Sequence, residues 1–168
     1  MANKLLPTVA EVEAFYMRAS KITYASGNAP VSVPFLPKAK MFTVIEGDFH
    51  YIDIWISGEK NPDGLRNSHS TTYIYFDGQV IWTMWYHGWW QNNVPGVIEF
   101  LKRAMVAATE FLGGRGPETF EEDSWIYHNN LKVGGFINFR GHDTIKLVSD
   151  QEVYRHNYQG STLVDLPI

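Results

Sequence analysis

The sequence predicts an α+β fold: a curved, mainly antiparallel sheet of about seven or eight strands with two principal helices. Two stretches carry helical periodicity, while most of the remaining chain alternates with a period of two. The strand candidates are separated by turns too short for the crossover of a dozen or more residues that a parallel neighbour requires.

The first helix is expected from about Val9 to Ser20. Val12, Phe15, Tyr16 and Ala19 recur at helical spacing, and Thr8 with Glu11 has the spacing of a capping box. The segment from Ser26 through Pro34 and Pro37 has the Gly and Pro content of an extended loop. A hairpin follows, Met41 to Ile45 and Phe49 to Ser57 about the turn Glu46-Gly47-Asp48, and then a polar loop from Gly58 to Asn67. Ser70 to Phe76 and Gln79 to His87 form a second hairpin, because Asp77-Gly78 readily supplies the positive φ angles of a two-residue turn.

Pro95 opens the second helix, in which Val97, Leu101, Ala104, Ala108 and Leu112 keep one apolar stripe up to Gly113-Gly114. Further strands are expected at Ser124 to His128, Leu131 to Arg140, Thr144 to Val148 and Glu152 to Tyr158. Turns are expected at Asn129-Asn130, Gly141-His142 and Ser149-Asp150, and a bulge at Gly134-Gly135. The acidic run Glu118, Glu121, Glu122, Asp123 reads as a solvated loop.

Composition bounds the function. A chain of 168 residues suits one domain over 1–168, and 45% hydrophobic with 19% charged residues suits a globular fold. The net charge is −4 and Lys and Arg form no cluster long enough to track a phosphate backbone, so direct nucleic-acid binding is not expected. Cysteine is absent, which excludes disulfides and thiolate chemistry and suits a reducing cytoplasm. Met1 to Pro7 is too short in apolar residues for a signal peptide, and no stretch has the length of a membrane span. The histidines stand singly at positions 50, 69, 87, 128, 142 and 156 without zinc-type spacing, so neither metal nor cofactor is expected. No nucleophile-elbow context and no phosphate-binding glycine loop occurs.

The compositional outlier is aromatic content: 15% of the chain, from six Trp, nine Tyr and ten Phe. Alternation along the strand after Phe49 puts Ile52, Ile54 and Ile56 on one face, the expected core, and Tyr51, Asp53 and Trp55 on the other. The next strand divides likewise, with Thr72, Ile74 and Phe76 apart from Thr71, Tyr73 and Tyr75. In the strand 79–87, Val80, Trp82, Met84 and Tyr86 alternate with Ile81, Thr83, Trp85 and His87, and either set can face a ligand. Rings with polar handles around a carboxylate suit a pocket for a flat or sugar-like molecule, and packing on half-exposed strands also favours Tyr and Trp. Arg115, between glycines and before Pro117, suits a clamp on an anionic ligand or a structural lock on its loop.

Thr23-Tyr24-Ala25, the run Glu46 to Asp53, Asp77-Gly78 followed by Trp82 and Tyr86-His87-Gly88, Arg115-Gly116-Pro117, and Val153-Tyr154 with Tyr158 occur in order across most of the chain. In these segments the sequence resembles the DUF5680 family, bacterial domains of unknown function. Members of that family occur alone or fused to helix-turn-helix regulators, so the resemblance implies a sensing or partner-binding domain and carries over no catalytic residue.

The leading expectation is a small-molecule-binding domain with Tyr51, Asp53, Trp55, Tyr73, Tyr75, Trp85 and Arg115 as ligand contacts. A second is an enzyme using Asp53 or a histidine as general base in the same cleft. A third is a protein-interaction module or homodimer meeting its partner through the aromatic face.

Overall fold

The computed structural model describes residues 5–168. In chain order its elements are α1 (Val9–Ile22), a single 3-10 turn (Tyr24–Ser26), β1 (Val31–Ser32), β2 (Lys40–Glu46), β3 (Phe49–Ser57), β4 (Leu65–Phe76), β5 (Gln79–Gln91), α2 (Val97–Val106), β6 (Thr119–Glu122), β7 (Trp125–Val133), β8 (Asn138–Leu147) and β9 (Glu152–Thr162). The strands form one nine-stranded sheet in the order β1-β2-β3-β4-β5-β9-β8-β7-β6, antiparallel throughout and open between its two edges. The chain builds one half outward-in from β1 to β5. It then builds the other half from the far edge, so the last strand closes the middle.

The α+β class and the antiparallel sheet match the sequence expectation, with nine strands rather than seven or eight. Part of the acidic run, expected as loop, pairs with β7 as edge strand β6. The two-residue β1 arises inside the Gly- and Pro-rich segment.

Local chemistry sets the start of α1. Thr8 Oγ1 accepts from the Glu11 backbone N–H and the Glu11 carboxylate accepts from Thr8 N–H, satisfying donors that the first helical turn leaves open. The hairpin at Asp77-Gly78 also forms, with φ of 47° and 79° at the two residues, as the turn requires.

Two expected turns are strand interior instead. Asn129-Asn130 lies within β7 and Gly141-His142 within β8, and the chain reverses at Gly134-Gly135, where a bulge was expected. Gly141 serves close approach, because a Cβ there would collide with the Tyr158 ring and the Asn130 carbonyl. Helix α2 stops at Val106, short of the expected Gly113, and the chain from Ala107 runs irregularly into the left-handed pair Gly113-Gly114. Glycine thus marks a reversal at Gly134-Gly135 and a close backbone approach at Gly141, the opposite of the expected assignment, because which role a glycine takes depends on what packs against it.

Both helices cover the same face of the sheet, here termed inner. Helix α1 lies over one end, where Phe15 stacks on Phe49 at 4.8 Å and Tyr16 tilts against Trp82 at 5.0 Å. Helix α2 lies over the other end, with Phe100 stacked on Trp125 and packed with Tyr127, Ile145 and Tyr154. Among the described residues no helix is long and apolar enough to cross a membrane.

The expected sorting of β3 is reversed. Tyr51 and Asp53 are buried on the inner face, with Trp55 half-buried beside them, while Ile52, Ile54 and Ile56 line the outer face. Register determines the rest: Tyr51 opposes Ile74, Asp53 opposes Thr72 and Trp55 opposes Ser70, so Tyr73 and Tyr75 fall on the outer face with the isoleucines. In β5 the inner set is Trp82, Met84 and Tyr86, which leaves Trp85 outside and stacked on His87 at 5.3 Å. The β-branched isoleucines suit a half-exposed strand surface as well as a core, so hydrophobicity alone does not assign the face.

Candidate functional site

Strand register assembles a polar row across the inner face beneath α2. Ser57 opposes Ser68, Ser68 opposes Gly88, Gly88 opposes His156, His156 opposes Asp143 and Asp143 opposes Asn129. Tyr86 and Tyr154 flank this row. Gly88 is required at its centre, because a Cβ there would strike the Arg155 backbone carbonyl and the Cδ2 edge of His156. The imidazole therefore lies across the glycine with its Cδ2 edge toward the strand and its Nδ1 edge turned away.

Arg115 ties the cluster together. The left-handed Gly113-Gly114 pair delivers it under α2, where its side chain is 3% exposed and Nε donates to Asp143 Oδ2 at 2.9 Å. Its Nη2 donates to the Tyr154 hydroxyl at 2.5 Å, and its guanidinium lies over the Tyr86 ring at 4.8 Å. Tyr127 OH also donates to Asp143, at 3.0 Å, and accepts from Gly116 N–H at 2.9 Å. Asn129 Nδ2 donates to the carbonyls of Leu112 and Gly116, and its Oδ1 accepts from Tyr158 OH at 2.6 Å, pinning the loop on both sides of Arg115. Of the two roles read from the sequence, the structural lock is thus present in the hydrogen bonds.

Asp53 forms a second buried node. Ser70 Oγ donates to its Oδ1 at 2.9 Å, Thr72 Oγ1 donates at 3.0 Å, and Tyr86 OH approaches both carboxylate oxygens at 3.3 Å. Burial raises the Asp53 pKa against these donors, which favour the ionised form. The Tyr86 hydroxyl is pushed well up by burial and by the Asp53 charge beside it, and remains a phenol. Burial alone would draw the Arg115 pKa down, but Asp143 and the surrounding tyrosine hydroxyls more than offset it and the guanidinium stays charged.

His156 is 5% exposed. Its Nε2 lies 3.1 Å from Ser68 Oγ, and its ring packs between Tyr86 and Tyr154. Burial, then the charges of Arg115 and His87, hold its pKa well below the ordinary range, so the ring is neutral. Its Nδ1 is buried and has no hydrogen-bond partner among the described residues. Buried polar atoms normally find partners, so an orphan nitrogen in an otherwise satisfied cluster is informative.

Beside His156 opens a hollow of about 230 Å³ between the sheet and α2. Its rings are Tyr24, Trp55, Tyr86 and Trp90. Ile98, Leu101 and Lys102 descend from α2, and Ser57, Ser68, Arg115, Tyr154 and His156 supply polar atoms. Tyr24 meets Trp55 edge-on at 6.0 Å, and Trp55 backs onto Phe42 at 5.2 Å, which makes one wall rigid. Burial pushes the Tyr24 hydroxyl up to about 12. A wider depression of about 650 Å³ lies over the outer face, but its His69, His87 and Asn157 side chains are exposed to solvent. Buried polar groups gain from a ligand in a way hydrated ones do not, so the inner hollow is the better candidate. No group of three or more His, Cys, Asp or Glu among the described residues is disposed to hold a metal ion.

Of the residues named from the sequence, Trp55 and Arg115 line this hollow. Asp53 lies behind Tyr86, and Tyr51 is buried in the core under α1. Tyr73, Tyr75 and Trp85 are on the opposite face of the sheet. The sequence reading missed Tyr86, Trp90, Asp143, Tyr154 and His156 as neighbours of Arg115. A signal did exist in the alternation Tyr154, His156, Tyr158, which puts three polar-tipped rings on one side of a strand.

Fold and site together define an α+β domain in which one open antiparallel sheet carries a buried polar cluster, roofed by a short helix at one end. Residues 64–163, from the start of β4 to the end of β9, match the family described as Domain of unknown function (DUF5680), and the chain belongs to that family. The matched span contains Arg115, Asp143, Tyr154 and His156, while α1 and β1 to β3 precede it. No curated protein and no solved structure matches the chain.

Proposed function

We propose that this protein is a small-molecule-binding domain whose ligand occupies the hollow between α2 and the centre of the sheet. The observation that carries this reading is the orphaned Nδ1 of His156, a neutral buried ring edge turned away from the strand beneath it, in a cluster whose other buried polar atoms are paired. Nδ1 itself is sealed from a water-sized probe, so a ligand atom reaches it only with a small shift of the neighbouring rings, and then satisfies a group whose desolvation otherwise costs about 1–3 kcal/mol. Around it, the Trp and Tyr walls offer apolar area, and the few polar groups fix orientation, the usual division of labour in a binding pocket.

A thermal-shift screen over broad metabolite classes tests this. A compound binding only the native state at a hundred times its Kd adds about 2.7 kcal/mol of stability and raises Tm accordingly. Gly88→Ala, whose Cβ pushes against both the Arg155 backbone carbonyl and the His156 ring, is expected to abolish the shift for any hit. A shift that survives in both Gly88→Ala and Trp90→Ala puts the ligand elsewhere and ends this reading.

A second reading, general-base catalysis in the same cleft, draws on His156 rather than Asp53. Asp53 is engaged by Ser70, Thr72 and Tyr86 and does not line the hollow, whereas His156 is neutral with one nitrogen free. It predicts turnover of a hit compound that disappears in His156→Gln while binding persists. Binding without turnover in the unsubstituted protein retires the catalytic reading and leaves the first intact.

A further inference from the structure

The charges around the hollow are sorted by position. Its lining contains two cationic side chains, Arg115 and Lys102, and no carboxylate. The carboxylates of the cluster lie behind this surface: Asp143 is fully buried under Arg115, and Asp53 is 2% exposed behind the Tyr86 hydroxyl. Glu99, the acid of α2 near Tyr24, is exposed and outside the lining. Whatever enters meets donors first.

Those donors are incompletely used. Arg115 gives Nε to Asp143 and Nη2 to Tyr154, and its Nη1 makes no hydrogen bond among the described residues. Lys102 makes no ion pair among the described residues, and its ammonium lies 5.3 Å over the Tyr24 ring at the edge of the hollow. When the Ser68 hydroxyl donates to His156 Nε2, the imidazole proton resides on Nδ1 and the orphaned atom becomes a further donor. Rings bound the remaining sides, with Trp55 and Tyr24 forming a corner and Trp90 braced from outside by Arg66 at 5.8 Å. The volume of about 230 Å³ is below the usual range for drug-sized ligands, roughly 300–1,000 Å³, and suits one ring or a small fused pair.

We infer that the hollow selects small planar aromatic acids, their ring held among Tyr24, Trp55 and Trp90 and their carboxylate directed to Lys102 and Arg115 Nη1, with His156 at the base of the hollow; this presupposes that the hollow is a ligand site. A carboxylate brings two acceptor oxygens and a negative charge to these cationic donors, which a neutral or cationic ring does not. Arg115 alone does not set the preference, because Asp143 already neutralises it. The uncompensated cation is Lys102, on the half-buried flank of α2 and outside the buried network.

The experiment uses the full chain and matched probes of one shape: benzoate, benzamide and benzylamine, and the corresponding 2-naphthyl series. Binding is followed by tryptophan fluorescence and by ¹⁵N shifts of the His156 ring. The acid is expected to bind at least tenfold more tightly than its amide and to move the Nδ1 resonance, with the amine weakest. Lys102→Met, checked for unchanged circular dichroism, is expected to weaken the acid about threefold to tenfold and leave the amide unaffected. If amide or amine binds as well as the acid, or Lys102→Met weakens acid and amide equally, the acid preference is overturned while the hollow remains a binding site. If no probe of any charge perturbs the tryptophans or His156, the hollow does not take small aromatic rings and the acid preference is overturned, while the binding-site reading stands or falls with the metabolite screen.

Discussion

The two ends of the inner face use one aromatic-rich alphabet for opposite purposes. Under α1, Trp82 stacks between Phe136 at 5.1 Å and Phe139 at 5.7 Å, and Tyr16 spends its hydroxyl on the Gly114 carbonyl. Rings there touch rings, and beside Tyr16 the side chains leave a cleft of only about 10 Å³. Under α2, the tyrosine hydroxyls of 86, 127 and 154 instead address Asp53, Asp143 and Arg115, and a hollow remains beside them. What distinguishes the ends is the buried charge. An ion pair cannot be close-packed like a hydrocarbon, because each lone pair and proton needs a directed partner. A polar network specifies geometry at some cost in density.

The largest effect that sharpens this comparison is expected at Arg115. Arg115→Met leaves Asp143 buried without its counter-charge and should cost about 3–5 kcal/mol by urea denaturation. The double variant Arg115→Met/Asp143→Leu should recover part of that loss, since the unpaired charge goes too. Equal stability of the single variant and the unsubstituted protein would mean that the pair is solvated and the two ends are alike.

Next in size is a pH effect confined to the polar end. His156 has a folded pKa held below the ordinary 6.5, so its neutral state stabilises the fold above that pH. As pH falls below 6.5 the unfolded chain takes up the proton first, and stability is lost toward the folded pKa at up to about 1.4 kcal/mol per pH unit. Urea midpoints from pH 7.5 to 5.0 should therefore fall more steeply for the unsubstituted protein than for His156→Gln. Parallel curves would show that the ring is hydrated.

The smallest effect belongs to the apolar end. Ile74→Val removes one methylene from a fully buried site under α1 and should cost about 0.5–1.5 kcal/mol. It should leave the His156-dependent pH slope and ligand affinity unchanged. A shift in either would couple the two ends that the packing keeps separate.

These two regions were not equally legible beforehand. The α1 end followed from local rules: the Thr8–Glu11 box, the Val12, Phe15, Tyr16, Ala19 stripe and the Asp77-Gly78 turn each depend on neighbours within a few residues. At the α2 end Arg115 stood out by its glycine context, yet its partners Asp143 and Tyr154 lie 28 and 39 residues away and meet it only because β9 inserts between β5 and β8. Face assignment in β3 failed for a related reason. A buried aspartate is admissible when Ser70, Thr72 and Tyr86 converge on it, and those donors come from two other strands.

By itself, then, the sequence determined the class of fold, the antiparallel pairing, the start of α1 and the turns of the first two hairpins, because periodicity, capping and turn stereochemistry act over short stretches of chain. Which face of each strand turns inward, that Asn129 and Gly141 continue strands, and that a histidine near the C-terminus meets Ser68 across Gly88 were decided only in the tertiary structure. Those outcomes depend on register and strand order, and no short-range preference encodes which distant donors will be present to satisfy a buried charge.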